Sequence, residues 1–212
     1  LIDRLKEKSK ETGIPWIAEI HDPMVIRDDP TDDGRRPRAS RKDRFLQQVE
    51  RTICSEADHI WWFTEDALNY AKLRNPKLED KGFVVLPGAE PPVCHHYHEY
   101  SDTLNLCHFG SLTNDRSLAP VLNSLETFFV NHPKAKNVIR IHTYGSDIDE
   151  AAKAVLEQLK LPEIIVNHGR LESDPLTGKS GRERVIEKMY EADVLLLLHG
   201  DYEWCAEYIP SK

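Results

Sequence analysis

The residues best suited to chemistry stand at Phe109-Gly-Ser-Leu-Thr-Asn-Asp-Arg-Ser117. An apolar run ends there, a glycine permits close backbone approach, and a helical pattern starts just beyond. A helix N-terminus carries unsatisfied N–H groups and partial positive charge, which suits a diphosphate. Ser111 adds a hydroxyl, and Arg116 adds a fixed cation with a forked set of donors. The same residues also fit a plain strand-to-helix turn with a solvated arginine. Tyr144-Gly145-Ser146 and His168-Gly169-Arg170 again put a glycine after an apolar run. Each alone reads as ordinary turn chemistry, but three such turns on one sheet edge favour a ligand site.

Two further groups carry ionisable side chains. Near the end of the chain, Glu203-Trp-Cys-Ala-Glu-Tyr-Ile-Pro-Ser-Lys212 follows an aliphatic run. A carboxylate there, such as Glu207, can accept two hydrogen bonds from a ribose diol, and Lys212 can offset phosphate charge; a solvated loop is the alternative. In the first half, Ile20-His-Asp-Pro23 closes a short apolar strand. His21 can move a proton near neutral pH, with Asp22 orienting it or an acceptor hydroxyl. A capped Asp-Pro turn fits equally well.

Other signals are weaker. Thr177-Gly-Lys-Ser180 ends like a phosphate-binding loop, but position 173, which that motif needs as glycine, is Ser173. Cys94-His-His-Tyr-His98 crowds adjacent ligands into a linker, a poor basis for a closed tetrahedral metal site. Trp61-Trp62 reads as core rather than as a stacking platform.

The elements that must position these residues alternate. Helical patterns are expected over 1–12, 45–57, 118–129, 148–159 and 182–190, with another opening at Thr64, a good N-cap followed by Glu65 and Asp66. On the 45–57 helix the apolar face is Phe45, Leu46, Val49 and Ile53. Strands are expected over 15–20, 59–63, 82–87, 104–109, 138–143, 164–167 and 194–198. Runs such as Val194-Leu-Leu-Leu-Leu198 suit parallel strands buried on both faces. Residues 28–44 read as mostly loop, and 88–103, rich in Pro, His, Tyr and acids, as the domain boundary. Strand–helix–strand alternation implies right-handed βαβ units, which bind ligands at the carboxyl ends of their strands.

The 212 residues carry a formal net charge of −8, with 40% hydrophobic and 30% charged residues. That is ordinary for a globular chain and unsuited to gripping a nucleic-acid backbone. No apolar run approaches the roughly 18 residues of a membrane span. The four cysteines, Cys54, Cys94, Cys107 and Cys205, show no metal or disulfide spacing, which points to a reducing, cytoplasmic setting. The chain begins at Leu1 in a helical pattern and stops just past a motif, so the expectation is a piece of a longer protein.

In this order the motifs resemble the retaining GT-B glycosyltransferases of the large group 1 family, family 4. Four matches carry the resemblance: Trp16-Ile-Ala-Glu-Ile-His-Asp-Pro-Met24; residues 50–64 with Ser55-Glu-Ala-Asp58; Phe83-Val-Val-Leu-Pro-Gly88; and Phe109-Gly-Ser-Leu with Arg116, Gly145, Gly169, Ala192-Asp-Val-Leu-Leu-Leu197 and Glu207-Tyr-Ile-Pro-Ser-Lys212. The resemblance implies an α/β, GT-B-like fold of two Rossmann-like, doubly wound parallel-sheet domains, both incomplete here. Residues 1–97 would be the later part of the acceptor domain with the start of the linker. Residues 98–212 would be most of the nucleotide-sugar domain. It implies a hexosyltransferase-type enzyme, in polysaccharide or glycoconjugate synthesis, that needs no metal or other cofactor. The donor would be a nucleotide sugar and the acceptor a glycan, lipid or small molecule, with no nucleic acid. Peripheral membrane contact is common in the family, though no basic amphipathic helix here supports it.

By the same resemblance, Gly110, Ser111 and Arg116 meet the donor phosphates and the 169–171 loop lies near the base; Gly145, Gly169, Arg170 and Lys212 complete the candidate donor-binding residues. Glu207 is the first of a pair of glutamates whose second member lies beyond Lys212. His21 and Asp22 serve the acceptor side. Ser111 and Arg116 stand where family members often carry Arg and Lys. The 212 residues by themselves are expected to be inactive. Two other readings share the fold: a sugar-nucleotide epimerase, and a non-catalytic nucleotide-binding or scaffold module.

Overall fold

A computed structural model describes residues 2–25, 40–88, 101–113, 116–160, 162–200 and 203–208. The chain parts into two compact units, Leu1–Glu90 with Tyr202–Ser211, and Pro91–Asp201. The C-terminal stretch, expected from the sequence to belong to the second domain, groups with the first unit.

In the first unit, helix α1 (Ile2–Thr12) precedes strand β1 (Ile17–Ile20), α2 (Arg41–Glu56), β2 (His59–Trp62), α3 (Glu65–Arg74), a 3-10 turn (Pro76–Lys81) and β3 (Gly82–Val84). The three strands form a parallel sheet in the order β1-β2-β3. One sheet face, with Ile20, Ile60 and Trp62, is buried with Cys54 and Ala57 at the end of α2 and with Ala67, Leu68 and Ala71 of α3. Trp61 alternates to the other face and is half-buried, so only Trp62 of the pair is core.

Local chemistry sets the helix starts. Ser40 accepts from Asp43 N (3.1 Å) and Asp43 Oδ2 accepts from Ser40 N (2.8 Å), a reciprocal cap that begins α2 four residues earlier than expected. Hydrogen bonds that the Ser40 side chain and backbone offer the Asp43 carboxyl hold it below its usual range. Thr64 accepts from Ala67 N (3.1 Å) and starts α3.

The apolar face expected on α2 is rotated. Phe45 is 66% exposed, while Glu50 (3%) and Cys54 (0%) are buried. Glu50 accepts from Arg74 Nε (3.0 Å) and Nη2 (2.8 Å) and from Asn75 Nδ2 (2.8 Å), so its charge is buried but fully engaged. Burial pushes the Cys54 thiol up to about 12, and the Glu50 charge adds to the shift.

In the second unit, β4 (Leu104–Gly110), α4 (Ala119–Asn131), β5 (Ile139–Gly145), α5 (Glu150–Leu159), β6 (Ile165–Asn167), α6 (Gly181–Tyr190) and β7 (Val194–Leu195) follow one another. The sheet is all parallel, in the order β6-β5-β4-β7. Ile139 and Ile141 of β5 face α4 and α5 through Leu122, Phe129 and Ala152. Cys107, Phe109 and Tyr144 point to the other face, against Val185 and Met189 of α6. Helices therefore cover both faces, the doubly wound arrangement expected.

The strand expected over 194–198 is shorter. Among the described residues only Val194 and Leu195 pair, with β4, and both are exposed (40% and 54%) at the edge of these four strands. Likewise the strand expected over 82–87 ends at Val84. Among the described residues, no helix is long and apolar enough to cross a membrane.

Candidate functional site

The carboxyl edge of the second sheet holds most of the residues singled out by type and spacing. Gly110 and Gly145 are the paired last residues of β4 and β5, with φ of 129° and 148°. A Cβ on Gly145 would lie 2.2 Å from the Gly110 carbonyl oxygen. Only glycine allows this approach, which brings the turns after the two strands together. Gly169 (φ 66°) follows β6, and its carbonyl accepts from Gly145 N at 2.9 Å. The three glycine turns thus form one connected edge.

Side chains tie these turns further. Leu112 N donates to Ser146 Oγ (2.8 Å). Asn167 Nδ2 donates to Asp147 Oδ1 (3.2 Å), and Asn167 Oδ1 accepts from Gly169 N (3.0 Å). Asp149, only 8% exposed, accepts from Ser117 Oγ (2.6 Å), Leu118 N (3.1 Å) and Ala152 N (3.0 Å). Sequence reasoning did not single out Asp149, Asp147 or Asn167. Asp149 lies at the start of the helical pattern expected over 148–159, and its type, favoured as an N-cap, was the available signal.

The backbone donors of this edge are largely committed. Leu118 N goes to Asp149, Ala119 N to Ser117 Oγ (3.0 Å), and residue 120 is proline. Thr113 and Arg116 bond each other's backbone (3.3 and 3.0 Å). The open anion-binding start of α4 expected from the sequence is therefore partly filled by the Asp149 carboxylate. Ser111 and the Arg116 side chain stay exposed, and among the described residues the Arg116 guanidinium pairs with no carboxylate. Arg170 is exposed, its Nε 3.4 Å from Glu172 Oε1.

Beside this edge, Phe109, Tyr144 and His168 stack in sequence, with centroids 4.7 and 4.4 Å apart and planes within 6°. His142 Nδ1 lies 2.9 Å from His168 Nε2, and His142 Nε2 lies 3.2 Å from Asn105 Oδ1. With the Asn105 oxygen as acceptor, the His142 proton sits on Nε2, and His168 Nε2–H donates to His142 Nδ1. Burial lowers both histidines below the usual imidazole value; for His142 the neighbouring His168 and Arg140 add to this.

In the first unit the structure brings His21, Asp22 and Glu207 to the carboxyl edge of its own sheet. His21 follows β1, lies 3.0 Å by Nε2 from Glu19 Oε1, and stacks on Phe63 at 4.6 Å. Glu207 closes a 3-10 turn (Glu203–Glu207), and its carbonyl accepts from Thr64 Oγ1 at 3.1 Å. At 2% exposure Glu207, which the resemblance makes the first of a glutamate pair, is buried within the first unit. Burial raises the Tyr208 phenol, with the nearby Asp22 and Glu207 charges adding to it.

Lys212 and Cys94-His-His-Tyr-His98 lie outside the described residues. Among the described residues no three metal-ligating side chains gather. A cavity of about 420 Å³ opens elsewhere, beside the last turns of α2 and α3, lined by Arg51, Arg74 and Lys77 among others. Of these, Arg74 stands in the last turn of α3, where a cation complements the negative helix end.

No family model and no curated protein matches this chain. Solved structures do. A S. aureus TarM mutant in complex with fondaparinux, alpha-GlcNAc-glycerol and UDP superposes with a TM-score of 0.55 at 9% identity, over 89% of this chain and 32% of that one. A second TarM structure gives 0.54 at 9% identity, over 87% and 32%. The trehalose-6-phosphate synthase OtsA gives 0.52 at 13% identity, over 98% of this chain and 53% of that one. The chain thus spans 32% of the length of TarM and 53% of that of OtsA. Their likeness shows a shared fold: this is a GT-B-like α/β protein with two Rossmann-like parallel-sheet units.

Proposed function

We propose that this chain is part of a glycosyltransferase that moves a sugar from a nucleotide-sugar donor to an acceptor hydroxyl, with retained configuration and without a metal or other cofactor. The observation that carries the reading is the connected glycine edge of the second sheet, with Gly110 and Gly145 in backbone contact and Arg116 exposed after β4. The TarM structure named above contains UDP, which supports a nucleoside diphosphate as the donor's leaving group.

The bond from the anomeric carbon to the diphosphate oxygen breaks, and a bond to the acceptor oxygen forms on the same face. The acceptor proton passes to the departing phosphate. Without a metal, the charge growing on that phosphate falls to Arg116 and the Ser111 hydroxyl. Gly145, Gly169 and Arg170 shape the donor edge, and His21 and Asp22 orient the acceptor. Glu207, first of the glutamate pair that the resemblance implies, is the carboxylate proposed to act with them. The family 4 assignment, a role in polysaccharide or glycoconjugate synthesis and a cytoplasmic setting belong to the same proposal.

One observation favours a second reading, a non-catalytic binding or scaffold module: the amides of Leu112, Leu118 and Ala119 are already satisfied internally. Calorimetric titration with UDP-, GDP- and ADP-sugars tests the donor site, and sugar transfer by the full-length protein separates the two: a sugar nucleotide bound without turnover favours the module. The glycosyltransferase reading expects selective binding of one, weakened about ten- to hundred-fold in Arg116→Ala, the loss of a charge-assisted contact to phosphate. Binding that Arg116→Ala leaves unchanged would remove Arg116 from the site.

A further inference from the structure

We infer that Asp149 is a positioning residue: it locks the turn after β4 to the turn after β5, so that the donor edge forms one body. Its effect on donor binding rests on the reading above; the lock itself does not.

The geometry is more than a helix cap. Asp149 Oδ1 accepts from Ala152 N (3.0 Å), the ordinary N-cap bond that starts α5. The same oxygen accepts from Ser117 Oγ (2.6 Å), and Oδ2 accepts from Leu118 N (3.1 Å). Ser117 and Leu118 lie more than thirty residues earlier, at the entry to α4. Leu118 caps α4 without any side-chain bond of its own. The α4 start is therefore held by a carboxylate from the neighbouring turn, with both oxygens used and the group buried. A buried negative charge at a helix N-terminus is favoured by the free N–H groups and dipole there. Arg116, next in sequence to Ser117, is fixed through this anchor.

Asparagine separates the two roles. Asn and Asp cap helices about equally well. In Asp149→Asn the amide oxygen would keep the bond to Ala152 N, but the amide NH2 would then face the Leu118 N–H, donor against donor. If Asp149 were only the cap of α5, Asp149→Asn would be silent. If it locks the turns, the variant loses the α4 anchor while keeping α5.

The test is amide hydrogen exchange on the full chain, for wild type, Asp149→Asn and Ser117→Ala, with Glu150→Gln as the exposed control. The lock expects Leu118 to exchange at least about ten-fold faster in Asp149→Asn while Ala152 stays protected, with Ser117→Ala showing a smaller change in the same direction. Calorimetry with UDP, GDP and ADP adds a second readout, an affinity loss of about ten-fold in Asp149→Asn with none in Glu150→Gln. Unchanged Leu118 exchange in both variants overturns the proposal. If Asp149→Asn does not fold, Ser117→Ala, which leaves the α5 cap intact, decides alone. If wild type binds none of the three diphosphates, the donor reading fails, and the exchange data still decide the lock. If binding is present and the exchange changes without any loss of affinity, the link from lock to donor site is refuted.

Discussion

Replacing Gly145 by alanine tests the feature that joins the turns of the second sheet. The added Cβ would lie 2.2 Å from the Gly110 oxygen and 2.6 Å from its carbonyl carbon. Both atoms are backbone of the central strand β4, so no side chain can swing away. Forcing a methyl group into a packed place costs about 1–3 kcal/mol, and holding alanine at the φ of 148° costs of order 1–3 kcal/mol more. The second unit is near the size at which 1 kcal/mol shifts the melting temperature by roughly 4 °C. A loss of about 2–6 kcal/mol thus predicts a fall of roughly 8–24 °C in its melting, followed by circular dichroism. Gly169→Ala is the control: its φ of 66° is also disfavoured, yet nothing lies within 4 Å of the new Cβ. It is expected to show the backbone cost alone. Equal melting of the two variants would refute the reasoning, since the Gly110 contact would then contribute nothing.

Two further outcomes are expected. Arg74→Ala leaves the Glu50 carboxylate buried with only the Asn75 amide, and denaturant titration should show a loss of about 3–5 kcal/mol, most of it recovered when Glu50→Met and Arg74→Met are combined. For the His142–His168 pair the folded values lie below the unfolded value of about 6.5. The unfolded chain then takes up protons first as the pH falls. Stability is full above about 6.5 and declines as the pH drops through about 6.5 toward the folded values; melting from about pH 7 to about pH 5 should show this, and His142→Gln should flatten the slope.

Most of the fold was legible because its signals are local. Thr64 with Glu65 and Asp66 marks a helix start, and alternating apolar runs mark strands whose pairing the βαβ rule then orders. The errors share a physical cause, partners distant in sequence. On α2 the periodicity counts Glu50 as a solvent residue and Phe45 as core, but Arg74 and Asn75 neutralise Glu50 inside and Phe45 stays out. The run 194–198 looks like a central strand because five aliphatic residues are adjacent, yet sheet order puts it at the outside. At the candidate site, the glycines that close the edge could be read from their places after strands. Asp149 could be read as a cap, but its reach to Ser117 and Leu118 could not, because nothing local encodes it. The buried place of Glu207 against α3 depends on Thr64, in a segment far upstream.

The central claim is that a nucleotide sugar is held at the carboxyl edge of the second sheet. Amide exchange of the chain with and without its preferred UDP-, GDP- or ADP-sugar tests this most directly. The account predicts slowed exchange at 110–113, 145–149 and 168–171, with little change over 41–56. Protection confined to the first unit, or none with the site saturated, would contradict it.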